Sequence, residues 1–527
     1  MRIKRLFSKA IKSAITTRDF VDSELRLALG LRVRRSATPR QSLEQWIGAL
    51  GVVPKPKGRI LITALRNETW IEWAVYCACV IRSLGYEATL VYYSPEIERF
   101  YRASAGAGSF WSRVSAIPGV ELIDLAKLEP REELIHRWEE EAGAWAFPAV
   151  AYDEHIEEHD VRGNPELYKR KLELMKSRIV RLSAALASFL ESRTFGRSFC
   201  FSGLIGESKV LLSVLRASGI DTVCLEGWAW RPGHMIYNLN APALEYNVQG
   251  WIESFGPWDT GKEREVNAYL KFLDVGKQDD AEWLDNFYRI QRNSISATLP
   301  SKLLNFLQGD QPVYLLAPNV IGDSSLLRRE TIFPGQQAWA REVIQWFAAH
   351  PHLKLVIRAH PAERWIGSKC AVYMGEVSSQ AARGLANVFV IDSEENVNTF
   401  SLLPFARLGL VWLSSAGVDF VVRGLPALVA ARPKYTGMGI VDEPSTRDEY
   451  FSKLERHALE TRRPSPSQIA QGKRYLHVVF KGFSFEACGR NYRATGCRLG
   501  QMANQREHDR FYRILVGDEA MPDVGPP

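Results

Sequence analysis

"LGLVWLSSAGVDFVVRGLPALVA", Leu408 to Ala430, decides the fold. Leu408–Leu413 is apolar without alternation, the pattern of a strand covered on both faces. Two serines, an alanine and a glycine interrupt it. Val418–Arg423 then reads as a short helix, and Ala427–Ala430 is a second apolar run. A strand, a tight turn, a helix and another strand make a parallel α/β step.

The same alternation extends outward. Pro312–Ala317, Leu353–Ala359 and Val388–Asp392 read as strands, and Gln336–Ala349, Val397–Ala406 and Thr446–Leu459 as helices. In the first half, Arg59–Ala64, Ala88–Tyr93 and Val120–Asp124 read as strands. Trp70, Trp73, Cys77, Ile81 and Leu84 recur at helical spacing between the first two, and Gly85 ends that helix. A long amphipathic helix is expected over Pro165–Arg193. Ser198–Ser202 and Thr222–Leu225 are strands around a helix at Glu207–Ser218, and the second stops at Glu226. Two α/β units in tandem leave a cleft between them. The expected division is a basic arm at 1–54, a first unit at 55–257, a helical connection at 258–308, a second unit at 309–500, and a C-terminal helix and tail at 501–527.

The bulk numbers narrow the classes. A chain of 527 residues exceeds one ordinary core. No apolar run reaches the ~18 residues of a spanning helix, because Leu402–Ala431 is broken by Arg407, Asp419 and Arg423. The start lacks an apolar leader, so a cytoplasmic protein is expected. Seven scattered cysteines fit reduced thiols, and no Cys/His group has zinc spacing, so no metal is expected. Residues 1–40 hold eleven Lys/Arg against three acids, a charge of +8 where the whole chain has +7. The basic charge is therefore confined to the arm, which argues against nucleic acid as a partner. With Leu6, Phe7, Ile11 and Ile15 interleaved, the arm suits an anionic membrane surface, and a peripheral place at the inner membrane is expected; a solvated, frayed terminus is the plain alternative.

In open parallel sheets, ligands bind beyond the carboxyl ends of strands. After Pro312–Ala317 come Asn319, Asp323, Ser324 and Ser325. After Leu353–Ala359 come His360, Pro361 and Glu363. After Leu408–Leu413 come Ser414, Ser415 and Gly417, and after the next strand Lys434, Tyr435, Gly437 and Gly439. Hydroxyls and free N–H groups at a helix start can hold phosphate oxygens, although a capping serine explains the same residues. "AGAGS" (Ala105–Ser109) lacks the third glycine of a dinucleotide fingerprint and follows no convincing strand. There is no Walker A motif and no pair of Asp separated by one residue. A leaving phosphate would then be neutralised by Arg, Lys, His or helix dipoles. His360, held by Pro361, has the chemistry for that work.

"APNVIGDSSLLRRETIF" (317–333), "LKLVIRAHPAE" (353–363) and the stretch from Leu408 through "KYTGMGIVDEP" (434–444) resemble bacterial capsule polysaccharide biosynthesis proteins, including the Kdo transferases of group 2 capsules. The likeness spans Tyr314–Leu454; "FSGLIGESKV" (201–210) and "CLEGWAW" (224–230) match that family's first domain more loosely. The resemblance implies an α/β fold of the GT-B type, two Rossmann-like domains facing across a cleft, with the nucleotide sugar mainly on the second. It implies nucleotide phosphate contacts from His360, Pro361, Ser414 and Ser415, with Asn319 and Gly417 beside them. Asp419 stands where relatives carry a Glu for a ribose hydroxyl, one methylene shorter. Tyr435 keeps a Tyr-x-Gly-x-Gly turn. Glu226 is the matching first-domain carboxylate, a base or nucleophile, with His360 the second catalytic candidate. Its plain alternative is a turn-capping acid, and Glu207 and Asp153 are poorer candidates. Asp323, Glu363 and Tyr435 are candidate acceptor or donor contacts.

The expected function is transfer of a sugar, Kdo or a related acid sugar, from a nucleotide donor to a lipid-linked or glycan acceptor, without metal or other cofactor. A nucleotide-sugar epimerase and a non-catalytic assembly protein are the competing classes. A CMP-sugar is favoured because one phosphate needs one imidazole and one helix start. Side chains two apart on a strand share a face, so Arg358 joins His360 only if the strand runs regularly that far. In that case a diphosphate donor fits as well.

Overall fold

The computed structural model describes residues 39–48, 50, 55–65, 68–94, 112–227, 234–245, 248–275, 299–363, 371–395, 397–481, 484–486, 513–514 and 516. Most of the basic arm, "AGAGS", Cys370, Cys488, Cys497 and nearly all of the C-terminal tail lie outside the described residues. Among the described residues no helix is long and apolar enough to cross a membrane.

After a short helix α1 (Pro39–Gly48), the first unit builds β1 (Arg59–Ala64), α2 (Glu68–Ser83), β2 (Glu87–Tyr92), β3 (Val120–Asp124), α3 (Glu132–Glu154), α4 (Glu158–Gly163), α5 (Pro165–Leu190), β4 (Arg197–Phe201), α6 (Gly206–Ala217), β5 (Thr222–Gly227) and β6 (His234–Leu239). Five of the six residues of β1 are buried, as its unbroken apolar run requires. Trp73, Tyr76, Cys77 and Val80 of α2 cover one face of the sheet, and Leu182, Leu186 and Phe189 of α5 cover the other.

Among the described residues, α7 (Val248–Ser254), α8 (Thr260–Val275) and α9 (Ser301–Leu307) follow. The second unit contains β7 (Val313–Ala317), α10 (Gln336–Ala348), β8 (Lys354–Arg358), α11 (Met374–Ala381), β9 (Val388–Ile391), β10 (Ala406–Val411), α12 (Ala416–Val422), β11 (Ala427–Val429) and α13 (Arg447–Leu459). Its sheet is parallel throughout, in the order β11-β10-β7-β8-β9. Gly409 lets α12 close onto β10, since a Cβ there would lie 2.4 Å from the Phe420 ring.

One expectation is corrected. The helix expected over Val397–Ala406 is a 3-10 turn at Thr399–Phe405. Pro404 inside it has no N–H to donate, which stops regular winding. Within the stretch 309–500 expected for the second unit, Ser484–Glu486 belongs to the first sheet. After α14 (Pro466–Lys481), the strand β12 (Ser484–Glu486) pairs antiparallel with β6 in the first sheet, giving the order β12-β6-β5-β4-β1-β2-β3. β6 is itself antiparallel to β5, and the returning chain covers its otherwise open edge. On the way, α14 packs against α7, α8 and α12, so one apolar cluster runs from Cys224 through Trp251 to Tyr475 and Val418.

Candidate active site

β5 carries Glu226 at its carboxyl end, opposite Ile236 of β6. Ser202, at the end of β4, turns with φ +63 and Gly203 with φ +67. That left-handed turn suits glycine, and here space also demands it, because a Cβ on Gly203 would meet Cys224 Sγ at 2.9 Å. The turn aims the Ser202 hydroxyl at Glu226, whose carboxyl also accepts hydrogen bonds from the Gly227 N–H and the Trp70 side chain. Desolvation outweighs these bonds and pushes Glu226 up to about 7, with Lys434 pulling the other way. A carboxyl near neutrality can gain and lose a proton at working pH.

Lys434 comes from the second unit, in the turn after β11. Desolvation, then Arg329, lower its ammonium to about 7, against the pull of Asp323, Glu245 and Glu226. Acids of the first unit (Glu226, Glu245) and a cation of the second are thus electrostatic neighbours. His360, just past the end of β8, shares the neighbour Asp323 with Lys434. Desolvation, then Arg358, hold it down to about 4, with Asp323 opposing. Its Nδ1 accepts the Ala362 N–H at 3.1 Å, which leaves the ring proton on Nε2. The imidazole is therefore neutral at pH 7 and can donate a hydrogen bond, while Lys434, lowered to about 7, is charged in part. In the sequence Lys434 stands just after a strand, with no role expected of it. Its signal was that position, beside a candidate tyrosine.

Several other candidates turn inward. Arg358 is buried and donates to the carbonyls of Val397 (3.1 Å), Ala359 (3.0 Å), Asp392 (2.6 Å) and Glu395 (3.2 Å). β8 ends at Arg358, so the regular alternation stops before His360. Glu363, a candidate acceptor or donor contact, is 1 % exposed and accepts the N–H groups of Met374 and Gly375, the latter at 3.3 Å, at the start of α11. Asp419, expected at a ribose, is buried on α12 and pairs with Arg423 at 3.1 Å. Tyr435 is also buried, and its hydroxyl donates to the Ser414 carbonyl at 2.6 Å, so it props the turn from beneath.

That turn keeps its serines half-exposed. Ser414 Oγ accepts the Ala416 N–H at 3.2 Å, while Ser415 makes no capping bond to α12. Gly417 is demanded by Tyr435, whose hydroxyl would lie 2.6 Å from a Cβ. Asn319 binds both its backbone groups to the Gln336 side chain (2.7 and 3.0 Å) and accepts the Leu413 N–H at 3.4 Å, fastening the ends of β7 and β10 together. Asp323 is exposed and caps its own turn through the Ser325 N–H at 2.8 Å. Pro361 is buried behind His360. Among the described residues no three His, Cys, Asp or Glu side chains are grouped as metal ligands would be.

Residues 279–464 match the family described as capsule polysaccharide biosynthesis protein. Solved structures to which the chain is similar include two from Thermosulfurimonas dismutans KpsC. Its beta Kdo 2,7 transferase is 11% identical with a TM-score of 0.34, covering 63% of this chain and 89% of that one. Its beta Kdo 2,4 transferase is 14% identical with a TM-score of 0.34, covering 61% and 88%. A UDP-GlcNAc 2-epimerase from Neisseria meningitidis is 12% identical with a TM-score of 0.24, covering 80% and 99%. No curated protein matches the chain. The matched stretch, residues 279–464, holds His360, the Ser414–Ser415 turn and Lys434.

Proposed function

We propose that the protein is a glycosyltransferase that moves a sugar from a nucleotide donor to a hydroxyl of a glycan or glycolipid acceptor in capsule synthesis. The observation that carries this reading is the electrostatic pairing of Glu226 from one unit with Lys434 from the other, with Asp323 acting on both Lys434 and His360. The acceptor oxygen attacks the anomeric carbon, and the bond from that carbon to the phosphate oxygen breaks with its electron pair leaving on phosphate. Glu226 takes the hydroxyl proton. Lys434 and the His360 Nε2–H meet the charge that develops on the leaving phosphate. The part-exposed hydroxyls of Ser414 and Ser415 lie at the next strand end and suit the remaining phosphate oxygens.

A CMP-sugar is the donor favoured by this arrangement. Arg358, the cation that would have argued for a diphosphate, is buried and donates to four backbone carbonyls. Calorimetric titration of CMP, UDP and GDP tests this choice, and tighter binding of UDP or GDP than CMP refutes the CMP assignment alone. The reaction is tested with Glu226→Gln, which is expected to bind nucleotide as the native protein does while losing transfer by about 10²–10⁴-fold, the usual contribution of a general base. Near-native turnover by that variant would remove Glu226 from the chemistry.

A further inference from the structure

One seam of contacts between the two units runs along α3 and α4. α3 and α4 of the first unit form a hairpin whose connection, His155–Glu157, reaches the second unit. The Glu157 carboxylate accepts the N–H groups of Gln336 and Gln337, the latter at 3.2 Å, at the start of α10. Gln337 Nε2 donates to Asp160 at 2.9 Å. Arg328, held at φ +57, donates to the Ala144 carbonyl, lies 4.1 Å over the Trp145 ring and comes within 4.0 Å of Glu158. Leu327 packs on Ala149, Leu204 and Ile205. The two surfaces touch so closely that a Cβ on Gly322 would lie 2.6 Å from the Cα of His155.

The start of α10 is also wired to the site. Gln336, whose N–H Glu157 holds, binds both backbone groups of Asn319 through its side chain. Asn319 in turn accepts the Leu413 N–H next to Ser414. A carboxylate from the first unit therefore ends a chain of hydrogen bonds that leads to the strand ends of the second.

We infer that Glu157 is a positioning residue: it clasps the α3–α4 hairpin to α10 and so sets the separation at which Glu226 faces Lys434. What the clasp serves rests on the transferase reading; the clasp itself stands on the contacts above. Because Glu157 lies on the hairpin and Lys434 after β11, the clasp acts through the placement of whole units and not by touching the reacting groups.

Hydrogen exchange of the full chain tests it in Glu157→Ala, Glu157→Gln and, independently of the carboxylate, Gly322→Ala. Glu157→Ala is expected to speed exchange roughly fivefold to thirtyfold at Gln336 and Gln337, the loss of a cap of ordinary strength. The same variant should speed exchange at Gly322–Leu327 and Ala144–His155 while leaving β1, β4, β7 and β10 unchanged. Gly322→Ala should reproduce that seam-wide pattern, and Glu157→Gln, which keeps one acceptor oxygen, should fall between. With transfer assayed, kcat should fall in Glu157→Ala while nucleotide affinity, a property of the second unit, stays within about twofold, the signature of an interaction realised during reaction. Faster exchange confined to Gln336 and Gln337 would reduce Glu157 to a local cap and overturn the inference. Seam-wide exchange with unchanged kcat would overturn the positioning role. If the native protein transfers no sugar, the exchange pattern still decides the clasp, so the two failures are distinguishable.

Discussion

Replacing Arg358 by methionine distinguishes an architectural guanidinium from a phosphate-binding one. The four carbonyls it serves are Val397, Ala359, Asp392 and Glu395, all at or beyond the carboxyl end of β8 and β9. Its relative exposure is 1 %, and burial lowers its pKa to about 10, which leaves it charged at neutral pH. Methionine fills much of the volume but leaves four acceptors without their donor. Breaking a buried, charge-assisted network costs about 3–5 kcal/mol. For a unit of about 150–250 residues that corresponds to a fall of about 6–20 °C in the second unit's melting temperature. Lysine at this position restores the charge but not the four-way geometry and should recover only part of the loss. Differential scanning calorimetry measures the change, and nucleotide titration below the transition measures binding. A stable Arg358→Met variant with nucleotide affinity cut tenfold or more would refute the reasoning, because the arginine would then be serving the ligand and not the backbone.

Two further predictions follow from the site and its packing. Transfer needs Glu226 ionised and Lys434 charged, so kcat/KM should rise as Glu226 loses its proton and fall as Lys434 loses its own, with both limbs near pH 7; a flat profile across roughly pH 6–8 would contradict this, and Glu226→Gln should abolish the acidic limb alone. Gly417→Ala brings a Cβ to 2.6 Å from the Tyr435 hydroxyl and 3.2 Å from Val411 Cγ2, so thermal unfolding should show a loss of about 1–3 kcal/mol, and a neutral result would mean that the Ser414 turn is not held from beneath by Tyr435.

Local pattern made the architecture legible. The apolar runs of β1, β7, β8 and β10 and the glycines that follow helices mark a tandem α/β chain, because strand burial and helix periodicity are written in neighbouring residues. The positions of Glu226, His360 and the Ser414–Ser415 turn were legible for the same reason, since each follows directly on its strand. β12 was not legible: a three-residue strand acquires its identity only from the edge of β6 that it covers. Nor could the sequence say which strand-end side chains face the cleft. Arg358 and Glu363 have the chemistry of ligand-binding groups, yet carbonyls near residue 395 and amides at Met374 and Gly375 take them. Asp419 and Tyr435 are likewise engaged, by Arg423 and by the Ser414 carbonyl. Lys434, chemically an ordinary turn lysine, became a site residue because folding brings acids from Glu226 and Glu245, some two hundred residues earlier in the chain, into its surroundings. The sequence by itself determined where polar groups end the strands, since that depends on adjacent residues. Only the tertiary structure decided which of them are used up in holding the backbone, because a hydrogen-bonding group is committed by whichever partner the fold brings within reach.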